Sequence, residues 1–241
     1  MRTLGIIPAR GGSKGVPRKN IAPLAGRPLL AWTAEAALAA RRLDAVVLST
    51  DDAEIAAVGE RWGLEAPFLR PSELSQDDTP TLPVMQHAVA ECERLSGRFD
   101  AVCLLQPTSP LRKTATIDAA IELLESSGAD SVVTVLRIPD EFNPCWAFFA
   151  QGDGTLRLAT GGAVPIPRRQ ELPPAFHREG SVYVVRRDVL MEGGSLYGER
   201  TIGLPLDRES SVNIDAPEDL ERAEALLRAQ EPIESVAPAA R

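Results

Sequence analysis

Leu4-Gly5-Ile6-Ile7-Pro8-Ala9-Arg10-Gly11-Gly12-Ser13-Lys14-Gly15-Val16-Pro17-Arg18-Lys19-Asn20 is an apolar run that breaks into a glycine-rich loop loaded with fixed positive charge. The apolar part is short and bounded by turn residues, which predicts a buried strand over Leu4 to Pro8. Arg10, Lys14, Arg18 and Lys19 then fall within ten positions of one another, beside Gly11, Gly12 and Gly15, which allow a ligand to come close to the backbone. Consecutive N–H groups in such a turn form a concavity that suits an anion. From Met1 to Ala34 there are six Lys or Arg and no Asp or Glu, in a chain whose net charge is -8. A solvated basic turn explains the glycines and the cations separately, but not the missing acids. The local excess predicts an anionic ligand, a triphosphate. The spelling is neither the G-x-x-x-x-G-K-[ST] of Walker-type ATPases nor the G-x-G-x-x-G of dinucleotide binders.

Outward from this loop, helices and apolar strands alternate. Leu29 to Leu38 is rich in helix formers. Ala45 to Ser49 reads as a second strand that ends at Thr50-Asp51-Asp52. A helix follows over Glu54 to Trp62, a short strand over Ala66 to Leu69 and a helix over Leu82 to Leu95. The strand Ala101 to Leu105, a helix over residues 115–126 and the strand Ser131 to Val135 continue the series. Continuous apolar strands between helices predict an α/β fold, a mainly parallel sheet with helices on both faces. Ligands of such sheets bind beyond the carboxyl ends of the strands, and Arg10, Asp51 and Gln106 all lie just past such ends.

The rhythm fails between Pro139 and Ala175. Four of the chain's eleven aromatics fall between Phe142 and Phe149, and Gly152-Asp153-Gly154 has the look of a hairpin turn. An apolar cluster in a proline-broken region needs a cover, either its own domain or a partner subunit. Ser181 to Arg186 returns to the sheet, and Ala216 to Ala229 forms a closing helix. The expected units are 1–138 with 176–230, an insertion over 139–175, and a frayed tail over 231–241.

Bulk properties narrow the function. At 241 residues and 44% hydrophobic, the chain has enough material for a real core. Its acidity and its 5% aromatic content argue against nucleic-acid binding. No apolar run approaches a membrane span and no secretory layout is evident, so no membrane partner and a cytoplasmic location are expected. Cys92, Cys103 and Cys145 have neither disulfide nor zinc spacing, and Cys103 reads as a small buried side chain.

Taken as a whole string, the first loop resembles the signature of the acylneuraminate cytidylyltransferases, which activate sialic and related nonulosonic acids as CMP-sugars. Phe68 to Leu74, Leu104 to Arg112, Arg169 to Phe176 and Ser211 to Asp215 resemble further stretches of the same family, in the same order. The resemblance implies a Rossmann-like fold of the nucleotide-diphospho-sugar transferase type, with a small dimerisation insertion that reaches the neighbour's site in a homodimer. It implies attack of the sugar's anomeric C2 hydroxyl on the α-phosphorus of CTP, with release of pyrophosphate, and it makes an acidic nine-carbon sugar the second substrate. Catalysis of that kind rests on positioning and on charge stabilisation.

By the same resemblance, Arg10 and Ser13 hold the β- and γ-phosphates with Gly11 and Gly12, and Lys19 stands at the reacting phosphate. Asn20 and Arg70 contact ribose and base; Lys14 and Arg18 support. Gln106 bonds sugar hydroxyls, and Arg168 or Arg169 binds the sugar carboxylate, across the dimer. A triphosphate reaction also wants a divalent cation, Mg2+ (or Mn2+). Asp215 matches a metal-ligand aspartate of the family, with Asn213 where a second aspartate is usual. Asp215-Ala216-Pro217-Glu218 also has capping-box spacing, so Asp215 is equally readable as a helix cap. Glu179 stands where the family usually has Asn, and His177 is a candidate base or substrate contact. Three other readings remain: a nucleotidyltransferase for another triphosphate or a sugar phosphate or phosphonate, a nonenzymatic nucleotide-binding module, and a dehydrogenase with Asp51 on a ribose. The last lacks its glycine signature.

Overall fold

The apolar run at the start of the chain forms β1 (Thr3–Pro8) in this computed structural model, which describes residues 1–208 and 211–230. In chain order follow β2 (Pro23–Leu24), β3 (Arg27–Pro28), α1 (Leu29–Leu38), β4 (Ala45–Ser49), α2 (Ala53–Arg61), α3 (Thr81–Ser96), β5 (Ala101–Leu104) and α4 (Thr114–Ser127). The second half holds β6 (Ser131–Arg137), β7 (Phe148–Ala150), β8 (Leu156–Leu158), β9 (Phe176–Arg186), α5 (Arg187–Met191), β10 (Thr201–Pro205) and α6 (Pro217–Gln230).

Six strands form one sheet in the order β10-β6-β9-β5-β1-β4. Pairing is parallel except at β9, which runs antiparallel between β5 and β6. The register sets Ile6 of β1 against Val47 on one side and Leu104 on the other. Side chains alternate across the sheet, so each strand feeds two cores. Leu4 and Ile6 pack with Met85, Val89 and Phe99 on the α3 side, whereas Ile7 joins Leu30, Ala34, Ile117 and Ile121 on the α1 and α4 side. Each fully buried aliphatic contributes about 1.5–3 kcal/mol. A one-residue slip of β1 would exchange both sets, so the register is firmly fixed. Burial raises the thiols of Cys103 to about 12 and Cys92 to about 11, which makes both of them inert at neutral pH.

Two expectations change. Ala66 to Leu69 is not a strand: Leu69 makes only an isolated bridge with Thr50, as Glu65 just before the segment does with Val47. Pro67 has no N–H to donate to a ladder, which leaves the edge at β4. The sequence reading also did not place β10, which is half exposed and pairs with β6 at the far edge. Between β6 and β9, the hairpin of β7 and β8 turns through Gly152 to Gly154, with Gln151 N–H donating to the Thr155 carbonyl at 2.8 Å. Phe148, Phe149 and Leu156 on this hairpin and Phe142 before it stand exposed. The expected tail over 231–241 lies outside the described residues.

Candidate active site

The loop after β1 has its shape because two of its glycines touch other parts of the chain. A Cβ on Gly11 would come within 2.7 Å of the Asp52 carboxylate, and one on Gly15 within 2.2 Å of the Asp215 carbonyl oxygen. Any larger residue at either position would push the loop off its neighbours. Gly11 N–H donates to Asp51 at 3.0 Å, and Ala9 N–H to the Ser49 carbonyl at 2.9 Å, so the loop is laid along the end of β4. Asp52 caps α2 by accepting from Glu54 N–H and Ile55 N–H. The Arg18 guanidinium beside Asp52 holds that carboxyl below its ordinary value, and Arg18 also pairs with Glu54. Arg18 therefore braces the loop; its charge is already spent on protein carboxylates.

Beyond the ends of β1 and β5 lies a cleft of about 290 Å³ whose walls include Arg10, Ser13, Lys19, Asn20, Arg70 and Gln106. The first loop thus meets the Gln106 segment, although the two are remote in sequence. Asn20 is buried and donates to the Arg10 carbonyl at 2.9 Å. Arg70 is buried too, yet its Nε and one Nη have no hydrogen-bond partner, and the nearest carboxylate, Asp51, is 3.7 Å away. Burial, more than the proximity of Arg10, lowers its pKa. An unsatisfied buried guanidinium is costly, and here it lines the cleft, which is the arrangement of a group awaiting an acceptor-rich ligand.

Lys19 Nζ donates to the Ile214 carbonyl at 2.8 Å and stands 3.3 Å from Asp215. Asp215 is exposed, with its other oxygen accepting from the Asn213 amide at 2.5 Å. The capping alternative for Asp215 is resolved by Asp219, whose carboxylate accepts from the N–H groups of Asp215 and Ala216 at 2.9 and 2.8 Å. Asp219 closes the start of α6, and the Asp215 carboxylate is left at the edge of the cleft beside Lys19.

The sequence profile described as cytidylyltransferase matches residues 4–149, the stretch that carries the loop, Arg70 and Gln106. The chain belongs to the cytidylyltransferase family. Similar relatives include the CMP-N,N'-diacetyllegionaminic acid synthase of Legionella pneumophila, 36% identical over 94% of this chain and 97% of that one. Another is the pseudaminic acid cytidylyltransferase of Campylobacter jejuni, 32% identical over 95% of this chain and 97% of that one. The fold is shared with a CMP:2-keto-3-deoxy-manno-octonic acid synthetase complexed with CTP, at TM-score 0.72 and 18% identity over 95% of this chain and 99% of that one.

Not every expected residue of this cytidylyltransferase stands in the cleft. Lys14 is largely exposed at its rim. Arg168 and Arg169 lie on the insertion, paired with Glu171 and Asp140, and neither lines the cleft. His177, on β9, is exposed and sits with Nδ1 3.0 Å from the Arg178 carbonyl. Two other residues went without a role in the sequence reading. Asp77 pairs with Arg10 at 3.0 Å and Lys14 at 2.7 Å, so a carboxylate of the protein sits among the cations of the loop. Arg112, buried and pushed down to about 10 by its surroundings, donates to the carbonyls of Ser181 and Gln106 and to the Thr33 hydroxyl. Its place in the Gln106 to Arg112 segment was visible, but nothing in the sequence distinguished a buried arginine from a substrate-facing one.

Proposed function

We propose that this cytidylyltransferase transfers CMP from CTP to the anomeric hydroxyl of a nonulosonic acid. The C2 oxygen forms a bond to the α-phosphorus, the bond from that phosphorus to the β-phosphate bridging oxygen breaks, and pyrophosphate leaves with the electron pair. The hydroxyl proton is lost to a base. The observation that carries this reading is the pairing of an unsatisfied Arg70 with Lys19 beside Asp215 in one cleft. On this reading Arg70 and Asn20 receive the nucleoside, and Arg10, Ser13 and the N–H group of Gly12 take the outer phosphates, whereas the expected Gly11 N–H is held by Asp51 and only shapes the loop. Lys19 meets charge as it develops at the α-phosphate, and Gln106 bonds sugar hydroxyls. Arg10 and Lys14 must first leave Asp77.

Magnesium prefers one or two carboxylates completed by phosphate oxygens and water. Among the described residues there is no group of three or more His, Cys, Asp or Glu that would hold an ion alone. One exposed carboxylate beside a triphosphate cleft does fit a Mg2+ or Mn2+ shared with the nucleotide, so Asp215, assisted by the Asn213 amide, would hold it. The ion would supply charge neutralisation for the leaving pyrophosphate. The exposed Phe148, Phe149 and Leu156 support a homodimer in which the hairpin packs on a second copy, and Arg168 or Arg169 then serves the partner's sugar carboxylate. Among the described residues no helix is long and apolar enough to cross a membrane, and a cytoplasmic location accompanies this reading.

The test is pyrophosphate release with Mg2+, crossing CTP, UTP, GTP and ATP with sialic, legionaminic and pseudaminic acids and a set of sugar 1-phosphates. Turnover confined to CTP and a nonulosonic acid is the expected result. Turnover with a different pairing would move the assignment to a divergent nucleotidyltransferase; binding without turnover would make the chain a nucleotide-binding module.

A further inference from the structure

Residues 211–215 belong to no helix or strand, yet they carry Asn213 and Asp215 to the phosphate loop. Their far end is well secured. Ile214 N–H donates to the Thr108 carbonyl at 2.8 Å, Lys19 donates to the Ile214 carbonyl, and Asp219 accepts from Asp215 and Ala216. Val212 and Ile214 are buried against Leu24, Leu29 and Ala223. At the near end a side-chain tie is made by Ser211, whose hydroxyl donates to Glu179 Oε1 at 2.7 Å.

Glu179 is itself held. Its Oε2 accepts from Ser181 N–H at 2.9 Å and from the Ser181 hydroxyl. Ser181 is fixed in turn through its carbonyl, which accepts from Arg112 Nε at 2.7 Å, and the same guanidinium donates to the Gln106 carbonyl at 2.5 Å. One chain of hydrogen bonds therefore runs from Gln106 through Arg112, Ser181 and Glu179 to Ser211. Burial alone would raise the Glu179 carboxyl, but the hydrogen bonds from Ser181 and Ser211 outweigh it and hold it below its ordinary value.

We propose that Glu179 is a positioning residue that anchors the Ser211–Asp215 segment to the Gln106 segment, so that the acceptor side and the Asp215 side of the cleft are set as one unit. Both of its oxygens are committed to protein donors, which leaves it an anchor and not a reader of the sugar. The inference deepens the reading of Asp215 as the metal carboxylate and rests on it for the metal readout, but not for the anchoring itself.

The deciding experiment compares Ser211→Ala, Glu179→Ala and Glu179→Gln with the wild type. Ser211→Ala removes the tie while leaving Glu179 on Ser181, so it tests the anchor even where Glu179→Ala folds poorly. Three quantities are read: amide exchange of peptides covering 211–219, Mn2+ affinity in the presence of a nonhydrolysable CTP analogue, and kcat and KM for the acceptor. Ser211→Ala and Glu179→Ala are expected to speed exchange and weaken Mn2+ binding by about tenfold, the low end for outer-shell partners of a metal ligand. The loss should appear in kcat, with acceptor KM within about twofold, and the double variant should be no worse than Glu179→Ala, since both act through one contact. Glu179→Gln should restore the wild-type pattern, because its amide oxygen can accept from Ser181 while its NH2 donates to the Ser211 oxygen. Unchanged exchange in Ser211→Ala, or a raised acceptor KM in Glu179→Ala with exchange unaltered, would overturn the proposal. Unchanged Mn2+ affinity in Asp215→Ala would overturn only the metal reading, and the exchange data would still judge the anchor.

Discussion

Substituting Gly15 by Ala tests whether the position of Asp215 matters to catalysis, because the added methyl meets that residue's backbone and little else. The ideal Cβ lies 2.2 Å from the Asp215 carbonyl oxygen, and Gly15 does not have the positive φ that would strain any L-residue. Carbon and carbonyl oxygen settle at about 3.3 Å or more, so the two strands of chain must part by about 1 Å. Overpacking of this kind costs about 1–3 kcal/mol, which for a chain of this length lowers Tm by about 2–4 °C per kcal/mol. A displacement of about 1 Å at a reacting centre costs about a hundredfold in rate. The expected result is a modest drop in Tm with a fall in kcat of about that size, measured as CTP-dependent pyrophosphate release. Gly12→Ala, whose Cβ would have nothing within 4 Å, should keep the wild-type Tm and serves as the control. A Gly15→Ala protein with lowered Tm and full turnover would refute the reasoning, since the clash would then be real but Asp215 irrelevant.

Asp77→Asn should bind CTP and pyrophosphate several-fold more tightly by calorimetry, because Arg10 and Lys14 lose the carboxylate that now holds them; weaker binding would mean that Asp77 serves the bound state. Arg70→Met removes two unbonded buried nitrogens but also the ion pair to Asp51 at 3.7 Å, opposing effects on Tm, while CTP affinity should fall at least tenfold; unaltered affinity would take Arg70 out of the nucleotide site. Glu93, half-buried between two nitrogens of Arg187, has a lowered pKa, chiefly through that hydrogen bond, so its contribution is complete above the unfolded carboxylate value and is lost as pH falls through the lower folded one. Glu93→Gln should accordingly be less stable than wild type at neutral pH by about 1 kcal/mol and equal to it in strong acid, as followed by thermal melts. Phe149→Asp combined with Leu156→Asp should sediment as a monomer that still binds CTP; an intact dimer would show that the hairpin only covers its own subunit.

The sheet was legible wherever an apolar run ended at a turn. Leu4 to Ile7 and Ala101 to Leu105 are buried throughout, and the edge strand Ala45 to Ser49 is buried over its last three residues; such apolar runs announce themselves by composition. β10 did not, because Thr201-Ile202-Gly203-Leu204-Pro205 is an edge strand with alternate residues exposed, and its glycine and proline read as a loop. The loop after β1 stood out for a different reason, its cations without local acids, and the fold brings acids to them from elsewhere: Asp77 to Arg10 and Lys14, Asp52 and Glu54 to Arg18, and Asp215 to Lys19. Asp215 was not decidable from spacing, since a second acid four residues on, Asp219, was free to take the capping role and did. Arg112 and Asp77 illustrate the limit more sharply: whether an arginine is buried, or which cations an aspartate finds, depends on segments brought together only by the fold.

The contact between Gly15 and Asp215 also sets an order of assembly. Lys19 and Ile214 are 195 positions apart, so the site joins one of the first segments of the chain to one of the last. During synthesis the loop after β1 emerges before its partner, and Lys19 cannot meet Ile214 until every strand of the sheet has been made. If Lys19 and Asp215 act as proposed, a fragment ending before residue 211 should hold anions weakly and turn over none. Closure of so long a loop adds little entropy cost beyond that of a shorter one, but it comes last, and the appearance of activity during refolding should lag behind the appearance of secondary structure.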